Sequence, residues 1–193
     1  MPCCPTDSSI KPIERSFEAL LSFEQVLIPS GTAFIPFSQV QTAPLPRILG
    51  RFRIKFSRDF SFARYRLEVF GLPLSSVPGS LFVTSAGLFA GRPFQNGPLI
   101  VPLFNAGAPL TSGLPGVTPI VAQVTSNGVI SQGTLTNTNI NPVTSPNGQA
   151  AFNTIASLLD GIRRGEVYCQ IFGTNAFSQG LARGQLLARD TTA

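Results

Sequence analysis

The sequence predicts an all-β fold, an antiparallel β-sandwich or barrel-like domain with one short helix near residues 154–164. Three observations predict it. Short apolar segments with partly alternating polar residues recur along the 193 residues, 18 Gly and 17 Pro residues provide turns, and only one segment has apolar residues at helical spacing. We expect residues 1–12 to form an extended N-terminal connector arm and residues 13–193 to form one β-domain.

The first part of the chain predicts the arm, an opening strand and a hairpin. Residues 1–12 are polar and interrupted by Pro, without an apolar run that could serve as a signal peptide or a membrane span. Residues 16–23 have strand character, and a long connection broken by Pro and Gly follows at 29–46. Residues 48–56 and 62–70 then form the predicted hairpin.

The middle of the chain predicts further short strands. Residues 80–84 and 95–104 are apolar enough to be strands. The Asn127-Gly128 dipeptide predicts a tight turn between strands at 120–125 and 129–134, because Asn-Gly suits the backbone of two-residue hairpins. Residues 136–150 are expected to be a polar loop.

The end of the chain predicts the helix and two closing strands. The helix is indicated by apolar residues at its spacing, with Asn153 or Thr154 able to cap its start and Gly165 ending it; the apolar residues are Ile155, Leu158, Leu159 and Ile162. A strand at 166–172 follows, then a Gly-containing turn and a second strand that ends at residues 183–186.

The predicted hairpin has one basic face. Alternation turns Phe52, Ile54, Phe56, Tyr65, Leu67 and Val69 to one side, and the opposite side carries Arg51, Arg53, Lys55, Arg64 and Arg66. The face could be solvated, pair with acidic residues of a neighbouring subunit, or bind nucleic acid. Solvation is favoured, and we expect no nucleic-acid partner, because phosphate-binding surfaces usually add aromatic platforms and these aromatic rings point inward.

Charge and composition argue against an enzyme. The chain has no His, no Trp and nine Asp and Glu residues, so the side chains that most often act as bases or metal ligands are absent or scarce. The net charge is +5, yet Arg92 is the only charged residue between Val69 and Leu159. Such a long neutral region is typical either of a surface buried against other copies or of a loop-rich β-domain. No cofactor is expected.

Residues 157–188 resemble the close of a CHRD (chordin-type) domain. That family ends with a Tyr-led strand, a His-Thr turn and then Gly-Glu-Ile-Arg-Gly-Gln-Leu. The matching residues here are Tyr168, Gly180, Arg183, Gly184, Gln185 and Leu186. Leu181-Ala182 replaces Glu-Ile, and Phe172 or Gly173 stands where the His belongs, so the polar centre of the family's usual site is missing. The resemblance implies an all-β architecture, and for Arg183 it implies hydrogen bonds to a neighbouring loop rather than catalysis.

Three cysteines suggest a covalent link between subunits. Cys3 and Cys4 lie in the arm and Cys169 lies in the predicted strand at 166–172. Adjacent cysteines rarely bridge each other, and an odd count leaves a thiol free or intermolecular. The alternatives are that Cys3 and Cys4 are reduced thiols in a disordered N-terminal tip, and that Cys169 is a small buried core residue. No metal site is predicted, because Cys-x-x-Cys spacing and His are both missing.

The Cys-Cys arm resembles the N-terminal connector of bacterial endospore-appendage pilins. Those subunits are β-domains whose connectors enter preceding subunits and form disulfides with them. The resemblance implies a structural subunit that assembles with copies of itself into an extracellular or spore-surface fibre or layer. A spore protein made in the mother cell needs no signal peptide, so this location is expected without a classical one. A non-assembling CHRD-like module that binds a protein or glycan ligand is the alternative.

Overall fold

The computed structural model describes residues 15–30, 33–36, 48–71, 83–105, 128–148, 151–173 and 180–189. The strands are β1 (Ser16–Ser22), β2 (Leu27–Ser30), β3 (Ala33–Pro36), β4 (Leu49–Phe56), β5 (Ala63–Phe70), β6 (Val83–Ala90), β7 (Leu99–Asn105), β8 (Gly128–Leu135), β9 (Val143–Thr144), β10 (Ala151–Phe152), β11 (Val167–Gly173), β12 (Ala182–Gln185) and β13 (Leu187–Ala188). The single α-helix of this part of the chain, α1, spans Ile155–Arg163. The predicted all-β class is confirmed.

One antiparallel sheet contains most of these strands. Its order is β7-β6-β11-β12-β1-β4-β5-β8, and β13 pairs with β1 beside β12. β2 and β3 form a separate hairpin, and β9 and β10 form a second small pair. The sheet curls until its two edge strands, β7 and β8, approach each other, so the architecture is a nearly closed barrel.

A serine bridges the two edges of the barrel. The Ser131 hydroxyl on β8 donates to the Leu103 carbonyl on β7 at 2.5 Å. The Tyr65 hydroxyl lies 2.9 Å from the Ser131 hydroxyl oxygen and donates to it, because the Ser131 hydrogen is already bonded to the Leu103 carbonyl. Ser131 is buried. This side-chain bridge links strands that lack a full backbone ladder, and so satisfies a buried polar group where the sheet ends.

The barrel interior holds one hydrophobic cluster. Alternate residues of the strands point into it, as the period-two pattern of the basic hairpin predicts, and the inward residues of that hairpin are Phe52, Ile54, Phe56, Tyr65, Leu67 and Val69. The apolar side of α1 packs on the same cluster through Ile155, Leu158, Leu159 and Ile162. Burial of this continuous apolar surface is the main stabilising contribution to the fold.

Reciprocal side-chain bonds define the start of the helix. The Thr154 hydroxyl accepts from the Ser157 amide at 3.1 Å, and the Ser157 hydroxyl accepts from the Thr154 amide at 2.9 Å. This capping box satisfies amide groups that have no partner within the helix. Of the two predicted caps, Thr154 is therefore the one used. Gly165, which follows the last turn, has a φ of 69° and ends the helix as predicted.

Several predicted boundaries were wrong. The strand expected at 80–84 is β6, which runs on to Ala90, and the strand expected from residue 95 begins only at Leu99. The connection at 29–46 contains part of the β2–β3 hairpin, and the loop at 136–150 contains a short 3₁₀ turn and β9. The predicted strand at 120–125 and the arm at 1–12 lie outside the described residues.

Candidate functional site

Three residues near the end of the chain, Tyr168, Arg183 and Gln185, form a cluster on the outer side of β11 and β12. Tyr168 lies directly opposite Gln185, and Arg183 is the diagonal neighbour of Tyr168 on β12. The loop at 91–98, between β6 and β7, covers all three. Tyr168 and Arg183 are consequently buried, with 1% and 3% of their surface exposed. The cluster thus joins the end of the chain to a loop about ninety residues earlier in the sequence.

Arg183 holds this loop with short hydrogen bonds. Its Nη1 donates to Asn96 Oδ1 and its Nη2 donates to the Gln95 carbonyl, both at 2.6 Å. The guanidinium carbon lies 3.5 Å from the centre of the Tyr168 ring. Burial lowers the pKa of Arg183, whereas its electrostatic and hydrogen-bonding interactions with Tyr168 partly raise that pKa again. The charge is therefore accommodated by two oxygen acceptors and an aromatic face, with no carboxylate partner in the part of the chain that the structure describes.

Gln185 and Tyr168 hold the same loop from its other side. The Gln185 side-chain nitrogen lies within hydrogen-bonding distance of three carbonyl oxygens, those of Gly91, Gly165 and Val167, at 2.7 to 3.1 Å. The Tyr168 hydroxyl accepts from the Gly97 amide at 3.2 Å. The Gln185 NH2 group has two hydrogens and so donates to two of these carbonyls at a time. Each bond of Gln185 and Tyr168 satisfies a backbone group, so the arrangement fixes the fold of the loop and presents no free nucleophile or base.

The two motif glycines lie where side chains do not fit. Gly184 faces the backbone of β1, with an added Cβ placed 2.3 Å from the Leu20 carbonyl oxygen. Gly180 opens the segment before β12 with a φ of 135°. Phe172 and Gly173, where the CHRD resemblance expects a His, end β11 and are half-buried. The position supplies no polar side chain.

A buried carboxylate fastens the loop to the helix end. Glu166 has a side chain that is 1% exposed and accepts from Arg92 Nη2 at 3.0 Å, Asn147 Nδ2 at 3.0 Å and Arg164 Nε at 3.2 Å. Burial raises the pKa of Glu166, but the hydrogen bonds from these three side chains outweigh it and lower that pKa below its usual value of 4.5. Arg164 is only two residues away in the sequence, whereas the bonds from Arg92 and Asn147 depend on tertiary contacts.

The substitution Glu166→Gln is expected to lower the free energy of unfolding by about 2 kcal/mol at pH 7, because charged hydrogen bonds become neutral ones. The native pKa of Glu166 lies below the unfolded value, so its contribution is complete above about pH 4.5 and disappears as the pH falls through the native pKa. Urea denaturation at pH 7 and pH 3 measures this, with Glu24→Gln, an exposed carboxylate, as control. If the difference in unfolding free energy between Glu166→Gln and the parent chain were the same at pH 7 and pH 3, the lowered pKa of Glu166 would be contradicted.

The structure places the five predicted basic residues on one outer face. Arg53 lies opposite Arg66 and Lys55 lies opposite Arg64, while Arg51 lies opposite a carboxylate, Glu68. A second carboxylate, that of Glu18 on β1, lies 2.6 Å from Arg51 Nε and 3.6 Å from Arg53 Nε. Arg66 Nη2 contacts Glu68 at 3.0 Å. The Arg side chains of these pairs are 36% to 49% exposed, so each pair contributes little to stability.

Cys169 lies in the barrel interior. Its side chain is fully buried on β11, it is a free thiol, and burial raises its pKa well above the ordinary value. Of the two interpretations left open by the sequence, the structure places this residue in the core. A disulfide to another subunit would require the sheet to open there. Cys3 and Cys4 lie outside the described residues.

A strip of exposed apolar side chains crosses the outer face, and the sequence analysis missed it. Leu49 on β4 lies directly opposite Phe70 on β5. Leu20 on β1 is diagonal to Leu49, and Leu187 on β13 is diagonal to Leu20. These four side chains are 42% to 64% exposed. Because diagonal neighbours across a sheet lie about 7 Å apart, the four form a continuous strip.

A fifth exposed apolar residue, Phe94, lies near one end of this strip, separated from Leu20 and Leu187 by the polar side chains of Gln25 and Gln185. It is 63% exposed and lines a cleft that shares Gln25 and Gln185 with the cleft lined by Leu20 and Leu187. Phe94 lies in a turn closed by a bond from the Gln95 amide to the Arg92 carbonyl, with a φ of 65°. This conformation is costly for an aromatic residue, by about 1–2 kcal/mol. We define the apolar band as Phe94, Leu187, Leu20, Leu49 and Phe70.

Comparisons with family models, curated proteins and solved structures found no match to this chain. Within the described ranges, no three His, Cys, Asp or Glu side chains group as metal ligands do, and no helix is long and apolar enough to cross a bilayer.

Proposed function

We propose that this chain is a structural subunit that assembles with copies of itself into an extracellular or spore-surface fibre or layer. One observation carries the proposal. Of the five large apolar side chains exposed in the described ranges, four are neighbours in the register of the sheet, Leu187, Leu20, Leu49 and Phe70, and Phe94 lies near their end. Single exposed apolar residues are ordinary on protein surfaces, whereas a continuous band of them is typical of a protein-binding surface.

The composition favours another copy of the same chain as the partner. An apolar band binds best to a surface that needs little desolvation of charge, and this chain has Arg92 as its only charge between Val69 and Leu159. Part of that neutral region, the turn at 92–95, already contributes Phe94 to the band. If the band of one copy binds a different surface of the next, the contact is heterologous and extends into a polymer.

The N-terminal cysteines can reinforce such a contact covalently. Because Cys169 is buried in the core, Cys3 and Cys4 are the thiols left to form intermolecular disulfides. A connector of twelve residues spans up to about 40 Å when it is extended, which is enough to reach a neighbouring subunit. The neighbour's Cys3 or Cys4 would then be the partner, or a thiol of another component of the same layer.

The double substitution Leu20→Ser/Leu187→Ser tests the apolar band. We expect the parent chain to show concentration-dependent assembly in sedimentation velocity under reducing conditions. The variant should need at least about a tenfold higher concentration to assemble, because Ser does not provide the apolar surface that each Leu buries on association. Ala156→Ser, an exposed residue of α1, is the matched control. Equal assembly of the double variant and the parent would contradict the proposal.

The arm is tested separately by non-reducing electrophoresis of the same preparations. Cys3→Ser/Cys4→Ser should abolish covalent multimers, whereas Cys169→Ala should keep them because that thiol is enclosed by the barrel. Electron microscopy of the parent chain then shows whether the assemblies are fibres or layers. A chain that remains monomeric with and without reductant would favour the non-assembling binding module instead.

A further inference from the structure

The outer face of the basic hairpin carries four of its five cations in two rows that run across four strands, and the fifth, Arg51, lies opposite Glu68 in the next row. The register gives one row as Ser16, Lys55, Arg64 and Thr134, and the next as Glu18, Arg53, Arg66 and Gln132. Arg53, Lys55, Arg64 and Arg66, with Arg189 from the end of the chain, line an open cleft of about 390 Å³. Cations are thus interleaved with hydroxyl, amide and carboxylate groups on a single surface.

This arrangement places like charges directly opposite each other. Arg53 faces Arg66, and Lys55 faces Arg64, on adjacent strands. Such pairs destabilise a sheet, and barrel formation does not require them. Glu18 contacts Arg53 and Glu68 contacts Arg66, but no carboxylate of the described residues lies within 4 Å of Lys55 or Arg64. A bound polyanion would remove this repulsion.

We propose that this face binds an acidic polysaccharide. Side chains two residues apart on a strand are separated by about 6.8 Å and adjacent strands by about 4.8 Å, so the cations form a lattice that matches repeated anionic groups of an extended polymer. The hydroxyl and amide groups in the same rows, from Ser16, Gln132 and Thr134, suit the hydroxyls of sugar rings. The proposal is independent of self-assembly.

The other anionic partners fit this face less well. Nucleic acids without sequence preference are usually bound with aromatic side chains that stack on bases. In β4 and β5, Phe52, Phe56 and Tyr65 are buried, and the exposed Phe70 lies opposite Leu49, at the other end of the hairpin from Lys55 and Arg64. A second copy of this chain offers few carboxylates: of its nine, Glu18, Glu68, Asp160 and Glu166 already form ion pairs. An acidic glycan supplies both the charge density and the hydroxyl groups.

Polygalacturonate is the probe, titrated into the full chain by calorimetry at several salt concentrations. We expect binding that weakens steeply with salt, as release of counterions requires. Lys55→Gln/Arg64→Gln should weaken it about tenfold and reduce the salt dependence, since two ion pairs are lost. The thermal midpoint of this variant should not fall, because a repulsive pair is removed. Loss of binding then cannot be attributed to unfolding.

The control removes one charge elsewhere. Arg163→Gln, at an exposed position of α1, should leave binding nearly unchanged, whereas Arg64→Gln alone should weaken it several-fold. Equal effects of these two single substitutions would overturn the site, because binding would then depend on net charge alone. Random-sequence duplex DNA at the same charge concentration is the competing probe. Tighter binding of DNA than of polygalacturonate would overturn the polysaccharide assignment.

Discussion

The substitution Arg183→Leu is expected to lower the free energy of unfolding by about 3 kcal/mol. Leucine keeps apolar contact with Tyr168 but removes two charge-assisted hydrogen bonds, to Asn96 Oδ1 and the Gln95 carbonyl. It also removes the cation from the Tyr168 ring face. The two acceptors then lose their donor on the covered side of the loop. Urea denaturation gives the size of the loss.

Hydrogen exchange locates the effect within the structure. The Gly97 amide donates to the Tyr168 hydroxyl, so its protection reports whether the loop at 91–98 remains in place. We expect this amide to exchange faster in Arg183→Leu, and its protection to be only partly restored in Arg183→Lys. An ammonium group does not donate in the planar two-nitrogen geometry of a guanidinium and does not stack on an aromatic ring. If the leucine variant is as stable as the parent chain, the buried cation makes no net contribution.

Local patterns predicted the local features of this fold well. The alternation in residues 51–56 and 64–69 predicted which side chains point inward, because the period of a strand depends only on neighbouring residues. The helix was predicted for the same reason, since its apolar spacing and its Thr154 cap both lie within a few residues of each other. Such signals do not depend on distant parts of the chain.

The position of the loop at 91–98 was not predictable in this way. Residues 95–104 were predicted as one strand from their composition, yet the first four form part of the loop. They do so because Arg183 and Tyr168, which come more than seventy residues later, supply the hydrogen bonds that a strand would otherwise provide. A competition between local strand formation and a tertiary contact leaves no signal in the segment itself.

The apolar band was missed for a related reason. Leu20, Leu49 and Leu187 each look like an ordinary strand residue in the sequence, and only the register of three strands brings them together. The order of the sheet, in which β12 lies between β11 and β1, is equally non-local. Sequence reasoning therefore found the basic face, which lies within one hairpin, and missed the surface that extends over several strands.

The substitution Gly184→Ala is expected to cost about 3 kcal/mol or more, although it adds only a methyl group. The new Cβ would lie 2.3 Å from the Leu20 carbonyl oxygen and 2.8 Å from the Leu20 carbonyl carbon. Both atoms belong to the backbone of β1, so no side chain can rotate away, and β12 must move from its place between β11 and β1. Overpacking against backbone in a sheet interior is among the costliest small changes.

Gly165→Ala separates this steric effect from backbone strain. Gly165 has a φ of 69° but open space where its Cβ would lie, so alanine there should cost about 1 kcal/mol through conformation alone. Thermal and urea unfolding of the two variants give the comparison. Equal losses of unfolding free energy in the two variants would mean that β1 and β12 can move apart with little loss of stability. A much larger loss for Gly184→Ala would show that the stability of the barrel depends on the close approach of these two strands, next to the Arg183 side chain that anchors the loop.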